Sequence, residues 1–391
     1  MNVPPLPFEA QPVPRVHRPR PEALLARALD APVVVEGCLE DWPLLRELRA
    51  AATPEAKVAA LGARFGARPV TFHQMHPRSG GHYHFREDLQ DVTFGAPREG
   101  VPFDAFGHEL LRSLRGESGD YVYMQAHLIE RGTPLFDGLG PGVLPFLTEE
   151  QLRPLMWAGS NGQVVNLHYD DFLNFICMVE GTKRVTMFAP ELMASLYHAP
   201  FDRMLEEAQA SHVRMLSPDL ERFPRFREAQ REARVAVIGP GDVLVIPPMW
   251  WHHVESFGLN IMVNNWVLAA SFEQLGEVQR NLTEAIRLFF PRTHAERARA
   301  LAQYRRTVFV DAPEAFAPEP DEPAADARHR ARTRALVAGL PAFLRRQVAL
   351  YYEHFTFQAS GDPIPTPPGA FAAMVERNAG APTFFAREPM E

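Results

Sequence analysis

Between residues 119 and 270 the chain runs through a succession of short apolar segments punctuated by glycine and proline, and few folds accept such a pattern. Asp120–Gln125, Met156–Gly159, Val164–His168, Val235–Ile238, Val243–Ile246 and Asn260–Trp266 are rich in aliphatic, aromatic and β-branched side chains, which favour extended backbone. They are too short for buried helices, and the spacing predicts a sandwich or barrel. Glu180-Gly181-Thr182-Lys183 predicts a tight turn, with Lys183–Phe188 as a separate strand closed by Pro190. Residues 190–234 interrupt the β pattern. There Leu205–Ala210 predicts a helix and Phe223–Arg227 a loop, and an insertion of this kind often forms the wall of a site.

The flanks read differently. Residues 1–21 hold seven prolines, which rules out a helix and predicts an extended arm with no signal-peptide core. Residues 22–118 form an α/β elaboration: helices over Glu22–Leu29, Pro54–Phe65 (with Thr53 as its N-cap) and Phe103–Leu114, and a buried strand at Val33–Gly37. The core occupies 119–270. Residues 271–391 turn helical, with Leu275, Val278, Leu282, Ile286 and Phe289 on one face and a proline-rich acidic stretch at 311–324. The chain is 46% hydrophobic with a net charge of −8, a soluble composition that argues against a nucleic-acid binder. Cys38 and Cys177 have no near partner, which fits a reducing cytoplasm. No window is apolar enough for a membrane span.

Within the β segment, His168 and Asp170 stand two residues apart, so a strand would point both the same way. One of His252 or His253 would add a second imidazole. Two His and one carboxylate on one side of a metal, with open positions opposite, is the donor set of non-haem Fe(II) oxygenases. Lys183 lies in an apolar setting and needs an anionic partner. Asn174 and Asn264 lie in apolar strand segments and need satisfied amides. Tyr121, Tyr123 and Gln125 share one face of their strand and read as pocket lining or as an exposed sheet face. His82 and His84 have no carboxylate at useful spacing and read as surface or hydrogen-bonded groups. Trp266 reads as wall packing.

Taken together, Trp157-Ala158-Gly159-Ser160, Leu167–Asp170, Glu180–Arg184, Gly239–Pro247, Trp250–Ser256 and Val263–Trp266 resemble the JmjC, or cupin-like, family of 2-oxoglutarate oxygenases. The pattern is similar to that of the asparaginyl hydroxylase that inhibits hypoxia-inducible factor, and Pro218–Pro224 resembles its insertion. The resemblance implies a mainly β double-stranded β-helix, or jelly roll, with Fe(II) as cofactor and 2-oxoglutarate and O2 as cosubstrates. It assigns His168, Asp170 and His252 to the metal, leaving His253 a structural role. Lys183 and Tyr123 would hold the distal carboxylate of 2-oxoglutarate, and Asn174 and Asn264 would lie near its chelating end. The family often carries a threonine three residues before the first histidine; here that residue is Val165, and Thr186 becomes the candidate for the missing bond. The expected substrate is a protein or peptide side chain, with Arg203, Trp266 and Gln125 as substrate-side candidates. A small molecule and a non-catalytic metal-binding cupin are the alternatives. The C-terminal helices would make a homodimer.

Overall fold

The computed structural model describes residues 3–267 apart from 29, 84–96, 141–143, 145, 146, 148–151, 171, 194 and 198–208. The predicted C-terminal helices, their homodimer and Arg203 therefore lie outside the described residues. By internal contacts the chain divides into two compact units, and the one made of Met1–Ala199 and Met204–Leu268 holds everything described below.

The N-terminal part supplies β1 (Gln11–Pro12), β2 (Arg15–His17), α1 (Pro21–Ala28), β3 (Val33–Glu36), α2 (Pro43–Ala50), α3 (Pro54–Phe65), β4 (Pro69–Met75), β5 (His82–Tyr83), β6 (Arg98–Pro102) and α4 (Phe103–Leu114). The core follows as β7 (Tyr121–Leu128), α5 (Pro134–Asp137), β8 (Pro154–Gly159), β9 (Val164–Tyr169), β10 (Leu173–Phe188), β11 (Gln209–Ala210), α6 (Phe226–Arg231), β12 (Arg234–Ile238), β13 (Val243–Ile246) and β14 (Trp251–Val267). Helix α3 begins where the sequence predicts: Thr53 accepts a hydrogen bond from the Ala56 amide at 3.2 Å, and Pro54 occupies the first turn. Its Phe65 stacks on Phe103 of α4 at 4.5 Å. The proline-rich arm is extended and docked, with β1 parallel to β12 and β2 parallel to β3. No helix among the described residues is long and apolar enough to cross a membrane.

Two long antiparallel strands, β10 and β14, run through the whole core, in register from Leu173↔Val267 to Phe188↔Trp251. One half of this ribbon is flanked by β13 and β8, the other by β12 and β9. The two sheets that result share the bent ribbon and face each other, which is the jelly-roll arrangement. Ile176, Met178, Val185, Met187, Ile238, Leu244, Val254 and Met262 fill the space between them. Phe175, Cys177 and Val179 point the other way, into a larger core shared with α2, α3 and α4. The first half of β10 is thus buried on both faces, and Cys177 is core, as its apolar setting implies.

The structure corrects four local expectations. Glu180–Lys183 is a bulge inside a continuous β10, with register shifts between Met178, Glu180 and Thr182. Its partner β14 continues from Trp251, so both strands bend together without breaking. Gly181 takes φ 80°, and a Cβ there would meet the Leu259 carbonyl oxygen at 2.2 Å. Gln209–Ala210 is a short strand on the free edge of β9 rather than the end of a helix; Leu205–208 lies outside the described residues. Phe226–Arg231 is helical, because Phe226 and Ala229 are buried and Phe226 packs on Phe188 at 6.0 Å.

Candidate metal centre

Strand β9 carries His168, and Asp170 follows just past its end. His252, near the start of β14, is the register partner of His168. Donor atoms of His168, Asp170 and His252 lie within 4.8 Å of one another. The two imidazoles are 4.1 Å apart, and His252 Nε2 stands 3.6 Å from Asp170 Oδ2. The approach to His252 is held by a turn in which Met249 takes φ 65° and its amide donates to the Asp170 carbonyl at 2.8 Å. A non-glycine residue in that region stores on the order of 1–3 kcal/mol of strain. The strained turn ties the two metal-side segments together.

Both imidazoles are oriented alike. His168 Nδ1 lies 2.6 Å from the Asn166 carbonyl, and His252 Nδ1 lies 2.9 Å from the Trp250 carbonyl. A carbonyl oxygen only accepts, so each Nδ1 carries the proton and each Nε2 keeps a lone pair for a cation. Burial and the neighbouring His168 push His252 down to about 4, so it is neutral around pH 7 and fit to ligate. Strand alternation turns His253 to the other face, opposite Thr186, so that His252 and not His253 joins the three-donor cluster.

A line of hydrogen bonds reaches Asp170 from behind. Trp157 Nε1 donates to Asn264 Oδ1 at 2.7 Å, Asn264 Nδ2 to Asn174 Oδ1 at 3.3 Å, and Asn174 Nδ2 to Asp170 Oδ2 at 3.3 Å. The ends fix the direction: an indole only donates and a carboxylate only accepts, so both amides can point one way only. Asn174 and Asn264 are thereby placed beside the carboxylate. Trp157→Phe removes the donor that sets this polarity while keeping an aromatic wall. The expected result is a metal affinity about tenfold weaker, at the low end for loss of an outer hydrogen-bond partner, read by metal titration with the fold checked by circular dichroism.

Farther along the inner face, Lys183 is 1% exposed and donates to Ser256 Oγ at 2.7 Å. Among the described residues no acid pairs with it, and burial lowers its pKa to about 7. Tyr123 is buried next to Trp157, 5.9 Å between ring centroids, and burial pushes its phenol up. Val165 packs against the small cluster of Met75 and Tyr123 and against the inter-sheet cluster. Val165 lies three positions before His168, an odd spacing that would put them on opposite faces of a regular strand. The register shift between His252 and Val254 lets both face inward. Thr186 is not brought to this region. It shares the outer face of β10 with Arg184, which is paired with Glu255 at 2.6 Å. Its spacing of three from Lys183 spans a regular stretch of strand.

Trp266 is half-buried, stacked on Phe172 at 5.8 Å and edge-on to Trp157 at 6.1 Å. Gln125 is half-buried in β7 just before a bulge at Ala126, which takes φ 47°. His82 lies on β5 opposite Val164 and stands outside the three-donor cluster, while His84 is outside the described residues. Sequence reasoning missed Trp157 and Ser256 as polar members of the site. The signal for Ser256 was present, since His252, Val254 and Ser256 alternate onto one face of a strand.

Comparison with known proteins agrees with this geometry. The cupin-like domain family matches residues 25–269. HSPB1-associated protein 1 of Homo sapiens is 33% identical over 171 residues, 43% of this chain and 34% of that protein. Lysine-specific demethylase 8 of Danio rerio is 28% identical over 268 residues, 65% of this chain and 58% of that protein. Lysine-specific demethylase JMJ31 of Arabidopsis thaliana is 31% identical over 122 residues, 31% of this chain and 22% of that protein. The chain thus spans roughly a fifth to three fifths of the length of these relatives. With a jelly roll, an inward His-Asp-His cluster and a family match over most of the described residues, the chain belongs to the cupin-like domain family.

Proposed function

We propose that the protein is an Fe(II)- and 2-oxoglutarate-dependent oxygenase that hydroxylates a protein or peptide side chain. The observation that carries the reading is the His168, Asp170 and His252 cluster lying on the same inner face as a buried lysine that has no acid beside it among the described residues. The overall reaction balances as substrate C–H, O2 and 2-oxoglutarate giving substrate C–OH, succinate and CO2. When bound, Fe(II) supplies the redox chemistry that activates O2. The chain's own residues do the rest. His168, Asp170 and His252 would hold the metal through two imidazole nitrogens and one carboxylate. The Asn166 and Trp250 carbonyls keep both imidazoles in the ligating tautomer, and the Trp157–Asn264–Asn174 line steers the carboxylate. Lys183 and Tyr123 receive the distal carboxylate, where ion pairing compensates the buried ammonium. Phe172, Trp266 and Trp157 form an aromatic wall that restricts water around a reactive centre.

A protein substrate is supported by the names of two relatives, which are lysine demethylases in their own right. The test is mass spectrometry of a peptide library and of whole extract after incubation with Fe(II), 2-oxoglutarate and O2. One added oxygen on a side chain, stoichiometric with succinate, is expected. Loss of a methyl group from lysine would replace hydroxylation by demethylation, and succinate formed with no modified peptide would point to a small-molecule substrate.

A further inference from the structure

We propose that Ser256 is the hydroxyl which, with Lys183, grips the distal carboxylate of the 2-oxo acid, at a place where Val165 offers no donor; this rests on the cosubstrate reading above. Lys183 is 1% exposed and Ser256 3%, and they face each other in register across β10 and β14. An ammonium carries three N–H donors, and among the described residues one of them is used, on Ser256 Oγ at 2.7 Å. Having accepted that bond, Ser256 keeps its own O–H, which has no acceptor among the described residues. Unspent donors of both kinds, buried side by side with no acid, call for an anion with at least two acceptor atoms. A carboxylate fits. The bond from the ammonium also polarises the hydroxyl and strengthens its donation.

The neighbouring side chains narrow the choice. Val254 lies two residues before Ser256 on the same face, and its register partner is Val165. Both are apolar, so the floor beside the pair adds no competing acceptor. Thr186, the hydroxyl that follows Lys183 along β10, faces outward with Arg184 and cannot serve without reversing the strand. Ser256 is therefore a cosubstrate-positioning residue, and it should matter only to ligands that carry the distal carboxylate.

The test is calorimetric titration of the full chain loaded with Mn(II), using 2-oxoglutarate and 2-oxopentanoate, which lacks the distal carboxylate. Ser256→Ala should weaken 2-oxoglutarate about tenfold, the scale of one hydrogen bond to a charged group, and leave 2-oxopentanoate unchanged. Thr186→Ala should leave both unchanged. Adding Val165→Thr to Ser256→Ala should recover most of the loss, because it restores a hydroxyl to the same face. Equal weakening of both ligands by Ser256→Ala would mean a general structural role and would overturn the inference while leaving the cosubstrate reading intact. Unchanged 2-oxoglutarate binding in Ser256→Ala would overturn it in the same way. Failure of the unsubstituted, Mn(II)-loaded chain to bind 2-oxoglutarate would overturn the cosubstrate reading and this inference together.

Discussion

Asp170→Ala will lose the metal, and succinate formation will fall to background while the fold survives. The carboxylate is the one hard oxygen donor in the cluster, and its removal leaves two imidazoles 4.1 Å apart. Loss of an outer hydrogen-bond partner typically costs roughly 10–100-fold in metal affinity, and loss of a direct ligand costs more. The fold has little stake in this side chain. Asp170 is 11% exposed, sits just past the end of β9 and among the described residues accepts one 3.3 Å side-chain bond, from Asn174, while its backbone carbonyl, which anchors Met249, is untouched. Metal content after gel filtration, with circular dichroism and thermal unfolding as controls, checks both halves of the prediction.

Lys183→Met will move binding and stability in opposite directions. Removing the ammonium should weaken 2-oxoglutarate by about 100-fold, because a hydrogen-bonded charge pair is lost. Stability should rise. Burial holds the Lys183 pKa near 7 against an ordinary value of 10.5. Between those two values the unfolded chain binds more protons than the folded one, so this group makes stability increase with pH across that window. Below about pH 7 its full cost is present, at most ~5 kcal/mol from a shift of this size. Methionine has nothing to titrate. The stability advantage of the variant should therefore be largest below pH 7 and shrink toward zero as pH approaches 10.5. Denaturant unfolding of both chains across that range reads it. In the unsubstituted protein, 2-oxoglutarate should restore the proton, so its binding should take up a proton above pH 7 and weaken as pH rises.

How much of this was legible in the sequence depends on the length scale of each feature. The inward pairing of His168 and Asp170 is local, since alternation in a strand dictates it. The boundaries of α3 and α4 are also local, set by Thr53, Pro54 and the phase of the apolar residues. The choice of His252 over His253 needed the register of β14 on β9. Glu180–Lys183 encodes a sharp change of direction, but bulge or turn is decided by whether β14 pairs across it, and that partner lies some eighty residues away. Val165 and His168 share a face only because of a register shift with no local signature. Thr186 could have been set aside by counting, since an odd step from Lys183 along a regular strand reverses the face. The Trp157 line was hidden because its members come from three strands and a loop.

The most direct test of the central claim is an anaerobic titration of the full chain with Fe(II), followed by 2-oxoglutarate, with the visible spectrum recorded throughout. A saturable metal-to-ligand charge-transfer band on adding 2-oxoglutarate, absent in Asp170→Ala, is the predicted result. A chain that binds Fe(II) through these residues yet gives no band with 2-oxoglutarate would contradict the oxygenase reading and favour a metal-binding cupin without turnover.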